Sequence, residues 1–263
     1  MTYETIRFEQ VPEGAARLTF SRPDKMNSFS AAMHAEVADA LSAIERDGAR
    51  VLVLTGAGRA FSAGQDLSER TMRAPGAGVD LGETVGTLWS PLIRRLTALP
   101  LPVVAAVNGV AAGAGASIAF ACDIVIAAKS ARFIQSFAGL GLVPDSGGSW
   151  ALPRLAGQAR ALGLALLGDP LPAEQAAAWG LIWRAVPDSD FASEVDALTA
   201  RLAAAPTLGL AATKRLIRSA SGRSLSDQLD AERDAMRELG RSADYAEGVA
   251  AFMDKRKPVF RGK

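Results

Sequence analysis

Three uninterrupted apolar runs of four or five residues, each ending near glycine or small residues, set the strongest limit on what this chain can fold into. They are Val51-Leu52-Val53-Leu54, Val103-Val104-Ala105-Ala106-Val107 and Ile124-Val125-Ile126-Ala127-Ala128. A run without polar alternation fits a strand covered on both faces, as happens when crossover helices pack on a parallel sheet. Helical periodicity lies between the runs. Met33, Val37, Ala40, Leu41 and Ile44 recur at helix spacing behind the capping residue Ser30, which predicts a helix over about 30–45. A second helix is predicted over about 84–99, and a short one runs from a glycine-rich turn to about Phe120. Strands alternating with helices predict βαβ units and an α/β fold.

The two ends of the chain differ from this middle. Ile6-Arg7-Phe8 and Ala16-Arg17-Leu18-Thr19-Phe20 flank Pro12-Glu13-Gly14 as a hairpin would. Beyond about Gly148 the patterns are mostly helical, over 193–204, 207–219, 226–239 and 243–254, with Pro206 at a first helical turn. One short apolar segment, Leu181-Ile182-Trp183, interrupts them. The chain therefore divides into an α/β core over 1–200 and a helical region over 201–263 that closes a site or pairs subunits. No internal repeat is visible, and Arg73-Ala74-Pro75-Gly76-Ala77-Gly78 reads as a mobile loop.

Composition removes several function classes. The 29 Lys and Arg stand against 28 Asp and Glu, a formal net charge of +1, which argues against a nucleic-acid or membrane-surface protein. No apolar run reaches the ~18 residues of a spanning helix, and Met1-Thr2-Tyr3-Glu4 lacks a signal-peptide pattern, so a cytoplasmic location is expected. The chain holds one cysteine, Cys122, and one histidine, His34, which leaves no Cys/His zinc site; no metal is expected. Ser62, Ser146 and Ser149 have no histidine placed to activate them, and Cys122 reads as packing. Trp179 and Trp183 read as core or interface packing.

Three segments join an apolar run to glycine and small residues: 56–67, 108–116 and 139–148. In open α/β sheets ligands gather outside the carboxyl ends of strands, and small residues let backbone N–H groups approach them. Glycines after strands also serve simply as turns, and Gly113-Ala114-Gly115 equally fits tight helix–sheet packing. A dinucleotide fingerprint is not completed, because Ile118 stands where the third glycine belongs, and no G-x-x-x-x-G-K-[ST] occurs.

These residues, taken together, resemble the crotonase superfamily, also called the enoyl-CoA hydratase/isomerase family. Arg22-Pro23-Asp24-Lys25-Met26-Asn27-Ser28 is similar to its early R-P-x-x-x-N segment, and Phe61-Ser62-Ala63-Gly64-Gln65-Asp66-Leu67 to its F-x-A-G-x-D-L loop. Asn108-Gly109 through Gly113-Ala114-Gly115, followed by Cys122-Asp123-Ile124, is similar to N-G-x-x-x-G-G-G…D-I. Pro144 with Gly147-Gly148 matches P-x-x-G-G, and Lys255-Arg256-Lys257-Pro258-Val259-Phe260 a basic tail. Five motifs in order at family spacing make the resemblance specific.

The resemblance implies a crotonase-like fold of repeated ββα turns with a C-terminal helical trimerisation region, and hence a homotrimer or dimer of trimers. It implies an acyl-CoA substrate whose thioester oxygen is held by the backbone N–H groups of Gln65 and Ala114, with no cofactor beyond the coenzyme A of the substrate. Coenzyme A and acyl contacts carry over to Lys25, Met26, Ala63, Gly64, Asp66, Leu67, Gly113, Phe137, Leu142 and Pro144, and to Lys255 and Phe260 of the tail. Asp66 reads as fixing its loop. Trp89 falls in the segment that shapes acyl pockets in relatives, where packing is the other reading.

Two departures matter. Typical hydratases carry glutamates at the positions of Ser117 and Phe137, and neither of those side chains can serve as acid or base. Asp145 is then the catalytic carboxylate that the resemblance implies; read on its own residues alone it is a helix N-cap. The resemblance extends to the isomerase of aerobic phenylacetate degradation through Gly139-Leu140-Gly141-Leu142-Val143-Pro144-Asp145, residues 161–168 and residues 240–245. This implies conversion of ring-1,2-epoxyphenylacetyl-CoA to oxepin-CoA. A general Δ3,Δ2-enoyl-CoA isomerase and a non-catalytic crotonase-like binding protein are the alternatives. A dehalogenase-like chemistry would need a histidine beside the aspartate, and His34 lies in the first helix instead.

Overall fold

Alternation of inward and outward residues produces the first two strands. The computed structural model, which describes residues 3–11, 14–69 and 80–263, pairs β1 (Ile6–Gln10) with β2 (Ala15–Phe20) antiparallel, Ile6 facing Phe20. Pro12 and Glu13 of the expected turn, and the whole of the expected loop at 73–78, lie outside the described residues. α1 (Ala31–Asp47) begins as expected, with Ser30 Oγ accepting from the Met33 N–H at 3.2 Å. The middle of the chain then runs through β3 (Val51–Gly56), β4 (Ala60–Ser62), α2 (Leu81–Thr84), a π-helical turn (Val85–Trp89) and α3 (Ser90–Ala98). β5 (Val103–Val107), β6 (Val110–Ala112), α4 (Ala114–Ala121), β7 (Ile124–Ala128) and β8 (Arg132–Ile134) follow. Next come α5 (Gly148–Ala156), α6 (Gln158–Leu167), β9 (Leu171–Pro172), α7 (Ala173–Ala178) and β10 (Arg184–Val186). The chain finishes with α8 (Phe191–Ala203), α9 (Thr207–Ala220), α10 (Leu225–Leu239) and α11 (Ala243–Met253).

The strands form a six-stranded sheet ordered β1-β2-β3-β5-β7-β10, parallel from β2 onward, and a four-stranded sheet ordered β4-β6-β8-β9. Each of β3, β5 and β7 hands the chain to a short strand of the second sheet. The path therefore repeats three times, although no repeat is visible in the sequence.

The structure explains why the apolar runs do not alternate. Leu52, Leu54, Val103, Ala105 and Val107 point into a core shared with Met33, Leu41 and Ile44 of α1. Val51, Val53, Val104, Ala106 and Ile126 point the other way, onto Val195 and Ala203 of α8. Each fully buried side chain of this size contributes about 1.5–3 kcal/mol.

Three sequence expectations need correction. Trp183, expected in the core or at an interface, is 72% exposed and so is not a core residue; Leu181 and Ile182 of the same apolar segment are buried in a turn, and β10 forms over the next three residues beside β7. Trp179 does pack against the core. The division at residue 200 falls inside α8, which runs unbroken to Ala203, and Pro206 is the residue capping α9 rather than part of its first turn. No helix among the described residues is long and apolar enough to cross a membrane.

A half-buried ion cluster fastens the helical region to the sheet. Asp123, at the entrance to β7, pairs with Lys214 Nζ at 2.8 Å and Arg218 Nη2 at 2.7 Å, and accepts from the Val103 N–H at 2.8 Å. Neighbouring Cys122 is buried, and that burial pushes its thiol up to about 12, consistent with inert packing.

Candidate active site

The site grows from the carboxyl ends of β3 and β5. Buried Asn27 fastens the early motif to the loop after β3. Its Oδ1 accepts from the Arg22 N–H at 2.9 Å, and its Nδ2 donates to Ala57 O at 2.9 Å and Ala60 O at 2.7 Å. The Ala63 N–H donates to Met26 O at 2.9 Å, so the Lys25-Met26 segment and the 63–67 loop stand side by side. Lys25 and Leu67 are exposed beside it.

One short bridge aims the loop. The Phe29 N–H donates to Gly64 O at 2.7 Å, and the Asp66 N–H donates to Phe29 O at 2.9 Å. In parallel pairing the residue between two such bonds turns its own N–H to the opposite side, so the Gln65 N–H faces away from Phe29. Asp66 holds this loop as expected, paired with Arg22 at 2.8 Å and accepting from the Ser68 N–H and Oγ at 3.0 and 2.6 Å. Burial works to raise its pKa, but these bonds from Ser68 and Arg22 outweigh it and hold the carboxyl below its ordinary value.

The start of α4 closes on the same point. Gly113 adopts φ 53° and ψ −126°, a conformation open to glycine, and its N–H donates to Ile134 O at 2.9 Å. Ala114 is the first helical residue, so its N–H has no acceptor within the helix, and the helix end adds partial positive charge. The approach is close. A Cβ on Gly115 would sit 2.3 Å from Ser62 O, and one on Gly64 would sit 3.0 Å from the Ala114 N. Two main-chain donors, Gln65 and Ala114, are thereby brought to adjoining positions. The arrangement can stabilise a carbonyl oxygen that gains negative charge.

The 137–145 segment forms the next wall. A Cβ on Gly113 would lie 3.8 Å from the ring of buried Phe137, and the Leu142 N–H donates to Phe137 O at 3.0 Å. Half-buried Asp145 is fixed at its backbone by Ser117 Oγ, donating to its carbonyl at 3.1 Å, and at Oδ1 by Ser146 Oγ at 3.0 Å. α5 starts only at Gly148, with Gly147 as its cap residue and no side-chain cap bond, so Asp145 is not the helix cap. Ser117, one turn into α4, thus links this helix to the backbone of Asp145.

The structure gathers Lys25, Met26, Ala63, Gly64, Gln65, Asp66 and Leu67 in one cluster. It gathers Gly113, Ala114, Phe137, Leu142, Pro144 and Asp145 in the adjoining one. It does not bring Lys255 or Phe260 there within one chain. The tail folds back along α11, with Arg256 paired to Glu247 and Phe260 O accepting from Arg50 Nη1 at 3.1 Å. Arg50 precedes β3, at the far end of that strand from the glycine loops. Asp244 secures the turn-back by accepting from the Arg261 and Gly262 N–H groups at 2.7 and 2.8 Å.

Sequence reasoning missed two parts of this site. Asn27 was visible only as a motif letter, and two of its three side-chain bonds reach residues about 30 positions away. Trp89 is fully buried, and its Nε1–H donates to Gln65 Oε1 at 2.8 Å. His34 is buried against the same ring, with centroids 4.5 Å apart, so it is a packing residue rather than a surface one.

The enoyl-CoA hydratase/isomerase family model matches residues 10–263, nearly the whole chain. The chain belongs to the enoyl-CoA hydratase/isomerase family. It is 54% identical to the 1,2-epoxyphenylacetyl-CoA isomerase of Escherichia coli, across 96% of this chain and 97% of that one. It is 48% identical to a probable enoyl-CoA hydratase of Rhodobacter capsulatus over the full length of both. The crystal structure of an enoyl-CoA hydratase from Bacillus anthracis superposes with a TM-score of 0.92 at 30% identity, covering 99% of this chain and 100% of that one. The crotonase-like fold, with mixed α/β sheets and a helical C-terminal region, is therefore that of this enzyme family. Its activity is of the hydratase/isomerase class on acyl-CoA thioesters.

Proposed function

We propose that this family member isomerises ring-1,2-epoxyphenylacetyl-CoA to oxepin-CoA, with the Gln65 and Ala114 N–H groups holding the thioester oxygen and Asp145 moving the proton. The observation that carries this reading is the close approach of the Gly64–Gln65 turn to the start of α4, beside one fixed carboxylate. The 54% identity to an enzyme named for that reaction supports the choice of substrate.

The chemistry follows from charge. Removing the proton next to the thioester carbonyl places negative charge on its oxygen, where two amides wait; one such donor is worth about 3 kcal/mol in acyl-transfer enzymes. Asp145 takes that proton and returns it elsewhere on the conjugated system, leaving the composition of the substrate unchanged. A positioned acid–base group contributes on the order of 10²–10⁴-fold. Hydration by two carboxylates does not fit, because buried Ser117 and Phe137 occupy both glutamate positions. Lys25, Met26, Ala63, Gly64, Asp66 and Leu67 would border coenzyme A, with Gly113, Phe137, Leu142 and Pro144 toward the acyl group. Lys255 and Phe260 would reach coenzyme A only across a subunit boundary, in a homotrimer or dimer of trimers.

The test follows isomer formation in deuterated water from epoxyphenylacetyl-CoA and from 3-enoyl-CoA. The expected result is solvent-dependent isomerisation of the epoxide, lost by about 10²–10⁴-fold in Asp145→Asn with folding and coenzyme A binding retained. Normal turnover by that variant overturns the role of Asp145. Turnover of 3-enoyl-CoA alone replaces the substrate with that of a general enoyl-CoA isomerase.

A further inference from the structure

The side chain of Gln65 is held at both ends, although the oxyanion chemistry uses only its backbone. Its Oε1 accepts from Trp89 Nε1–H at 2.8 Å, and its Nε2 donates to Phe29 O at 3.2 Å. Trp89 itself is immobilised: fully buried, it lies between Phe29, 5.1 Å between ring centroids, and His34, 4.5 Å edge to face. It stands at the end of the π-helical turn, an irregularity often found next to functional sites. A core position could be filled by an apolar ring alone, whereas this one places a polar N–H against a loop amide. We propose that Trp89 is a positioning residue whose indole N–H fixes the Gln65 side chain and so keeps the Gln65 main-chain N–H aimed at the thioester oxygen. This rests on the reading of Gln65 as an oxyanion donor.

The physical argument is one of tolerance. The Phe29 N–H holds the Gly64–Gln65 peptide by one bond, to Gly64 O at 2.7 Å, which sets the direction of the Gln65 N–H but leaves the peptide able to tilt about that bond. The side chain of Gln65 adds a second hold beyond the backbone bridge, and Trp89 is its partner from a different element. A misplacement of about 1 Å at such a donor can cost 10²-fold in rate. Substrate binding is spread over many contacts and is far less sensitive.

The experiment compares wild type, Trp89→Phe, Gln65→Met and the double variant. Readouts are kcat, KM and the infrared carbonyl stretch of bound phenylacetyl-CoA labelled with carbon-13 at the thioester carbon. Trp89→Phe keeps a buried ring and removes the N–H. The expected result is a fall in kcat of about 10- to 100-fold with KM within about 3-fold, a carbonyl stretch moved back toward its unbound frequency, and a double variant no worse than either single one. Unchanged kcat and carbonyl frequency in Trp89→Phe overturns the proposal, as does a double variant whose losses multiply. If Trp89→Phe does not fold, Gln65→Met on the half-exposed loop breaks the same bond and decides alone. Failure of the broader reading is distinct: there wild type itself shows no carbonyl shift, or Asp145→Asn remains active.

Discussion

Acid should unfold this protein early through one side chain, His34. It is 6% exposed, its Nε2 has no hydrogen-bond partner among the described residues, and two aromatic rings pack against it. Burial lowers its pKa from 6.5 to about 4. The unfolded chain then binds a proton that the folded chain refuses, so stability is full above about pH 6.5 and is lost as pH falls toward 4. That difference corresponds to about 3 kcal/mol in full, of which about 2.5 kcal/mol is gone by about pH 4.5. The perturbation is His34→Leu, which keeps an apolar filling of similar size without a titratable group. Urea unfolding at about pH 7.5 and pH 4.5 gives the comparison, and carboxylates common to both proteins cancel in it. Wild type should lose about 2.5 kcal/mol more than the variant between these two conditions. Equal losses in the two proteins would refute the assignment of a neutral, buried imidazole beside Trp89.

Two further outcomes test how the site is supported. Asp123→Ala leaves Lys214 and Arg218 without their carboxylate and should destabilise by about 3–5 kcal/mol, read as a lowered urea midpoint; Lys214, already lowered by burial, would fall further, so part of the loss should be recovered as pH rises toward 10.5. Gly115→Ala places a methyl 2.3 Å from Ser62 O and forces α4 away from the loop, with a stability loss of about 1–3 kcal/mol and a fall in kcat of about 10²-fold, measured by turnover of the folded variant.

The parts of the fold that repeat a local pattern were legible. α1 with its Ser30 cap, the three long strands and the four C-terminal helices follow from periodicities of ten or more residues or from runs too apolar to be exposed. The second sheet was not legible, because strands of two or three residues such as β6 and β9 show no period at all. β10 was not legible for the same reason: Leu181 and Ile182 are the more apolar residues, but the backbone pairing with β7 falls on Arg184–Val186. Lys255 and Phe260 were carried by resemblance alone, and Arg50 and Asp244 draw their tail to another part of the chain.

The order of residues by itself determined which segments are covered on both faces, which glycines allow close approach, and that Ser117 and Phe137 cannot serve as acid or base. Those are properties of side-chain volume, polarity and charge, and they are local. Tertiary structure alone decided that Phe29 turns the Gln65 N–H outward, that Ser117 holds Asp145, and that Trp89 reaches Gln65. Each of these rests on directional bonds between residues 24 to 37 positions apart, and only the closing of one strand-and-helix turn upon the next sets their geometry.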